Sequence, residues 1–215
     1  MTQVKICGIT SLADARAAIA AGADMLGFNF HRPSPRFIEP LEVRAIIESL
    51  RAETGGQAIT MVGVFVNESS PGAVMEIVEE ACFDGVQLHG DESVEFCHGV
   101  KHLLNGRLLI KVHRVADTFA LADVRRYDGD AIMLDAFHVK MRGGTGQLVD
   151  WTIARQAREL ASRLFLAGGL SPANVAEAIA QVNPYAVDAC SSLESSPGQK
   201  DAARMRAFVE AVRNA

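Results

Sequence analysis

Apolar residues along this chain follow two periods. Eight short runs are almost continuously apolar and rich in Val, Ile, Leu and Phe: QVKIC (3–7), DMLGFNF (24–30), AITMVGVFV (58–66), GVQLH (85–89), RLLIKVHRV (107–115), DAIMLDA (130–136), RLFLA (163–167) and YAVDAC (185–190). Runs this short with no polar alternation predict strands buried on both faces. Between them lie stretches of helical period carrying alanines and charges. Their starts are marked. Ser11 precedes LADARAAIAAG with Asp14 three residues on, the pattern of a capping box, and Gly22 stops that helix. Ser70-Pro71 and Ser171-Pro172 each pair a cap residue with proline at the first helical position, and Asp150 is placed to cap WTIARQAREL.

Eight strand–helix units over residues 3–213 predict a parallel sheet with helices covering it. In a chain of 215 residues this fits a single α/β domain, a closed (β/α)8 TIM barrel over residues 1–215 at the compact end of its range. An open doubly wound sheet is the alternative. In a barrel the chemistry sits where strands end and loops begin, so the residues just after each apolar run become the candidates.

Composition narrows the choice. A formal charge of −5 argues against a nucleic-acid binder, and an anionic ligand would have to be held by a local arrangement. No apolar run reaches the ~18 residues needed to span a bilayer, so no membrane partner is expected. The N-terminus lacks a basic segment leading into an apolar signal core. The cysteines (Cys7, Cys82, Cys97 and Cys190) are scattered without a C-x-x-C pair. That fits free thiols in a reducing compartment, and the expectation is a cytoplasmic protein.

The strand ends carry Cys7, Arg36 in HRPSPRF, Gln87 and His89, Asp135, the RGGTGQ loop, AGGLSP, and Asp188 with Cys190. Three segments read together as an anion site. GGTG holds Gly144, Thr145 and Gly146, where missing side chains let backbone approach a ligand. Gly168 and Gly169 stand just before a predicted helix start, and CSSLESSPG, with Ser191 and Ser192, can open a short extra helix. Backbone N–H groups there hold a phosphate without lysine. Glycine pairs are also ordinary turn chemistry, but two in consecutive units at one end of a barrel favour a phosphate.

Arg36 follows Pro33-Ser34-Pro35, which stiffens its loop, and its planar fork suits a carboxylate. Asp135 ends an apolar run whose neighbours would desolvate it and raise its pKa, as a general acid requires; the plainer role is a loop cap. Cys7 leads through Gly8 into the first helix, whose positive end would favour the thiolate of a base; the plainer role is a small buried residue. His98 and His102 stand four apart beside Cys97, but no further ligands converge on them, so no metal site is expected. Lys5 and Lys111 lie inside strands and are expected to pair with acids rather than form Schiff bases.

KICGIT, SPRF, VGVFVN, VQLHG, MLDA, GGTG, DW, LAGGLSPANV and GQKD occur in this order from Lys5 to about Asp201. The set resembles the phosphoribosylanthranilate isomerases of tryptophan biosynthesis. That resemblance implies an Amadori rearrangement of a small phosphosugar, N-(5′-phosphoribosyl)anthranilate, with no metal and no cofactor, by a monomer or homodimer. It implies Asp135 as general acid, Cys7 as general base, Arg36 on the anthranilate carboxylate and Asp188 on the amino nitrogen. Gln87 and His89 would face the same cavity, with His89 orienting substrate or acid. Lys140 and Arg142 would close over the substrate. One segment departs from the pattern: VDACSSLE stands where the family usually reads like VDVSSGVE, placing Cys190 for a serine and Ser192 for a glycine. A histidine-pathway barrel isomerase, which would carry an aspartate at the Cys7 position, a lysine aldolase and a non-catalytic phosphate-binding module are the other readings.

Overall fold

The computed structural model describes residues 1–53, 59–115, 120–127, 129–135 and 151–215. All eight predicted strands form: β1 Gln3–Cys7, β2 Met25–Asn29, β3 Thr60–Phe65, β4 Gly85–Leu88, β5 Leu108–Arg114, β6 Ala131–Asp135, β7 Leu164–Ala167 and β8 Ala186–Ala189. Each pairs in parallel with the next, and β8 pairs with β1. The sheet is a closed (β/α)8 barrel, which removes the open-sheet alternative.

Period-two alternation sorts the strand residues. Val4, Ile6, Leu26, Phe28, Leu109, Leu134, Leu164 and Leu166 point outward and pack with helix residues such as Ile47, Leu50, Val78 and Phe208. Met25, Val62, Ile110, Val112, Met133 and Phe165 fill the barrel interior. Each such side chain contributes about 1.5–3 kcal/mol on burial. The interior is therefore plugged low down, and polar inward positions are left at the strand C-termini.

The helices are α1 Leu12–Ala21, α2 Pro40–Glu53, α3 Pro71–Ala81, α4 Val94–Leu103, α5 Thr152–Leu160, α6 Val175–Val182 and α7 Ala202–Arg213. Ser11 caps α1 by accepting from Asp14 N, and Gly22 ends it at φ 98°. The reciprocal half of the capping box is absent, because the Asp14 carboxylate accepts from Lys200 N instead. Ser70 and Pro71 start α3 as predicted. Ser171-Pro172 does not start α6. Asn174 accepts from Ser171 N and donates to Gly169 O, which holds residues 172–174 as a turn and delays the helix to Val175. Asp150 lies outside the described residues. After β5 the expected α-helix is a 3-10 turn, Leu121–Arg125, in which Val124 is the one buried side chain. After β8 a 3-10 turn, Ser191–Leu193, leads into a hairpin of β9 Glu194–Ser196 with β10 Gln199–Lys200, which the apolar pattern did not predict.

His113 points outward from β5 with its ring edge against Tyr127. Burial, aided by the nearby Lys111 ammonium, pushes its pKa down to about 4. The unfolded chain then binds more protons than the folded one between about pH 6.5 and 4. Stability should fall as pH drops through that window, by up to about 1.4 kcal/mol per unit from this group. Urea titrations at pH 7 and 4.5 should show a smaller pH difference for His113→Gln than for the wild type.

Candidate active site

The described candidate residues converge. Cys7, Arg36, Gln87, His89, Asp135, Gly168, Gly169, Asp188, Ser191 and Ser192 all line one cavity of about 310 Å³ at the C-terminal face of the barrel. Gly144, Thr145 and Gly146, with Lys140 and Arg142, lie outside the described residues. His98 and His102 are exposed on α4 while Cys97 is buried, and no metal-binding group occurs among the described residues.

Cys7 is the last residue of β1. The register pairs Lys5 with Asp188 and Ile6 with Ala189, so Lys5, Cys7 and Asp188 face inward together. Lys5 is fully buried, and its Nζ lies 2.8 Å from Asp188 Oδ1. A Cβ on Gly27 would meet Cys7 Sγ at 2.8 Å and Lys5 Nζ at 2.9 Å, so thiol and ammonium press on the same patch of β2. The Cys7 pKa falls well below the ordinary thiol range. A hydrogen bond from Cys190 contributes most; burial opposes it, and the Lys5 and Lys200 charges reinforce it. Beyond the start of α1, which the sequence pointed to, two buried cations and a second thiol surround the sulfur. Burial alone would lower the Lys5 ammonium, but Asp188 and Cys7 outweigh it and push its pKa up. Burial pushes Asp188 up to about 6, with Lys5 pulling down and Cys7 pushing further up.

Gly8 answers why glycine follows the cysteine. Its φ is 74°, and a Cβ there would sit 2.7 Å from Arg36 Cδ and 2.8 Å from Cys190 Sγ. Arg36 itself is already engaged. Its Nε and Nη2 donate to the two Glu194 oxygens at 2.8 and 2.7 Å, and Lys200 Nζ donates to Oε1 at 2.9 Å. Burial would raise the Glu194 carboxyl, but Arg36 and Lys200 hold it below its ordinary value. One edge of the guanidinium fork is thus spent on Glu194, and a ligand carboxylate is left the Nη1/Nη2 edge. Two cations share one carboxylate, so this wall keeps a net positive charge.

On the opposite wall, Gln87 Nε2 lies 3.0 Å from His89 Nδ1, and His89 Nε2 lies 3.6 Å from Asp135 Oδ2. An amide N–H given to Nδ1 leaves the ring proton on Nε2, facing the Asp135 carboxyl. Asp135 keeps 26% of its side chain exposed, so the expected desolvation is partial. β6 stands three strands from β1 around the barrel, which places carboxyl and thiol on facing walls.

At the anion side, Gly168 and Gly169 have φ of 90° and 70°, a backbone shape that favours glycine. They do not stand at the start of α6, as expected, because the turn at 172–174 intervenes. The short extra helix at 191–193 is present as a 3-10 turn. Ser192 Oγ donates to Leu170 O, tying the loops after β7 and β8 together. Lys200 is the site residue that sequence reasoning passed over. Lys5 is paired with an acid, as expected, but beside Cys7, and Cys190 lines the cavity after β8. Lys111 points outward into an ion pair with Glu92 at 2.6 Å, as expected of an acid-paired lysine.

The family model of N-(5'phosphoribosyl)anthranilate (PRA) isomerase matches residues 4–211. The chain is 47% identical over 209 residues to the N-(5'-phosphoribosyl)anthranilate isomerase of Geobacter sulfurreducens, covering 97% of each. It superposes on the phosphoribosyl anthranilate isomerase of Thermotoga maritima with a TM-score of 0.85 at 36% identity, covering 100% of both chains. It also superposes on such an isomerase in complex with reduced 1-(o-carboxyphenylamino)-1-deoxyribulose 5-phosphate, with a TM-score of 0.84 at 35% identity over 100% of both. With a closed barrel, a thiol and a carboxyl across one cavity, and relatives alike from end to end, this chain belongs to the N-(5'-phosphoribosyl)anthranilate isomerase family.

Proposed function

We propose that this chain carries out the family's isomerisation by general acid–base catalysis, with Asp135 as acid and Cys7 as base. The observation that carries the reading is the pairing of a thiol flanked by Lys5 and Lys200 with a half-exposed carboxyl on the facing wall of one cavity. Asp135 gives its proton to the ribose ring oxygen as the C1′–O bond breaks and the anthranilate nitrogen forms a Schiff base. The Cys7 thiolate then takes the C2′ proton. The resulting enolamine tautomerises to 1-(2-carboxyphenylamino)-1-deoxyribulose 5-phosphate. Acid and base must start in opposite protonation states, and Lys5 favours the charged form of the thiol alone.

Asp188 sits beside Cys7, where its negative charge stabilises the cationic nitrogen of the Schiff base. His89, oriented by Gln87, steers the Asp135 carboxyl. The positive wall of Arg36 takes the anthranilate carboxylate, and the tied loops at Gly168, Gly169, Ser191 and Ser192 take the phosphate. A relative from Thermotoga maritima described as dimeric supports a monomer or homodimer here. Free thiols throughout support the expectation of a reducing, cytoplasmic setting, and no helix is long and apolar enough to cross a membrane.

The aldolase reading loses support on two counts: Lys5 is held as an ammonium by Asp188, and Lys111 faces away from the cavity. Freshly prepared phosphoribosylanthranilate should lose its fluorescence faster with the protein than without it; equal decay would end the proposal. Arg36→Ala should raise KM by about tenfold or more while kcat changes far less, the signature of lost uniform binding. Steady-state kinetics that showed the loss in kcat alone would move Arg36 from binding to chemistry.

A further inference from the structure

Cys190 follows β8 and stands where the barrel closes. The β1–β8 register runs Lys5 with Asp188 and Ile6 with Ala189, so the next residues along each chain, Cys7 and Cys190, come side by side. Neighbouring strands lie about 4.8 Å apart, inside the Cα separation a disulfide spans. Both residues line the same cavity, so a small solute that enters it reaches both. The sulfurs are hemmed in by backbone: a Cβ on Gly8 would sit 2.8 Å from Cys190 Sγ, and one on Gly27 2.8 Å from Cys7 Sγ. Lys200 Nζ lies 3.7 Å from Cys190 Sγ and adds a second cation beside the pair. The other two cysteines lack this setting. Cys97 sits on the buried face of α4, and burial pushes its thiol up to about 11. Cys82 caps the end of α3, where its Sγ donates to the Glu79 carbonyl at 3.7 Å.

We propose that Cys7 and Cys190 form a reversible oxidation site, which a hydroperoxide closes to a disulfide. The cations and the neighbouring thiol make Cys7 the attacking sulfur, since thiolates beside positive charge are the reactive ones. The Cys7 thiolate attacks one peroxide oxygen; an S–O bond forms, the O–O bond breaks, and hydroxide leaves. Cys190 then attacks the sulfenic sulfur. The S–S bond forms, and the hydroxyl departs as water with the Cys190 proton. Two thiols lose two electrons, and the peroxide is reduced to water. A dithiol reductant reverses the closure. The effect on turnover rests on Cys7 being the base proposed above; the covalent chemistry does not.

The test treats the full chain with hydrogen peroxide, quenches, alkylates the remaining thiols and maps the peptides. The expected result is a linked pair of peptides carrying Cys7 and Cys190, a chain lighter by two hydrogens, and activity that falls by at least about tenfold and returns with dithiothreitol. Cys190→Ser should give no linked peptide and leave Cys7 to oxidise further, so that dithiothreitol no longer restores whatever activity the variant began with. Wild-type protein in which Cys7 gains oxygens without a link, or in which Cys82 or Cys97 oxidises while Cys7 and Cys190 still alkylate, would overturn the proposal. A linked pair with turnover intact would leave the oxidation site standing and remove Cys7 as the base.

Discussion

Cys7→Ser and Asp135→Asn will each lower kcat by at least about 10²-fold, with substrate binding little changed. The two losses arise differently. A serine hydroxyl in place of Cys7 stays protonated beside Lys5, because its acidity lies far above that of a thiol, so no base remains for the C2′ proton. Asparagine in place of Asp135 keeps the shape and still meets His89, but it has no proton to give the ring oxygen. The pH profiles separate the roles. Cys7 is held below the ordinary thiol range by the Cys190 hydrogen bond and by Lys5 and Lys200, so more of the base is thiolate at neutral pH than in a free cysteine. Lys5→Met removes one of those charges, and the acid limb of kcat/KM should then move to higher pH. Stopped-flow fluorescence across pH reads both effects. A Cys7→Ser enzyme within a few-fold of wild type would remove Cys7 from the chemistry.

Much of this was legible in the sequence, for a physical reason. Barrel strands are buried on both faces, so their apolar runs stand out, and all eight were found within a residue or two. The C-terminal-end rule then pointed to Cys7, Arg36, Gln87, His89, Asp135 and Asp188, which the fold brings to one cavity. What stayed hidden depends on contacts between distant segments. Glu194 lies 158 residues from Arg36, and nothing local says that it takes half of the guanidinium fork. Lys200 reaches the site through a hairpin too short and polar to register as strands. Asn174 delays α6 through side-chain bonds that compete with the stronger-looking Ser-Pro start. The 3-10 turn after β5 spans only five residues, too few for a helical period to be read in it. Cys190 read as a departure from a pattern, and only the β1–β8 register shows it to be the neighbour of the base.

The largest expected loss of stability lies away from the cavity, at Glu92. Its carboxylate is buried in the turn after β4, where Oε1 accepts from Asn67 N at 3.0 Å and Gly90 N at 2.9 Å. Oε2 meets Lys111 Nζ at 2.6 Å, and Lys111 also donates to Gly90 O at 2.7 Å. The side chains are 3% and 1% exposed, so neither charge has water to fall back on. Glu92→Leu leaves an ammonium and the Gly90 N–H buried without their acceptor, and should cost about 3–5 kcal/mol. Adding Lys111→Met should recover part of that, because an apolar pair avoids the unpaired charge, although the orphaned Gly90 N–H remains. Urea midpoints of the two single variants and the double variant measure the coupling; simple additivity would mean that the pair does not act as a unit. The turn runs directly on from His89, so Glu92 also fixes where the imidazole meets Asp135. Glu92→Leu should therefore lower kcat in the folded fraction as well, and the double variant, still lacking the acceptor for Gly90 N, should regain stability more fully than turnover.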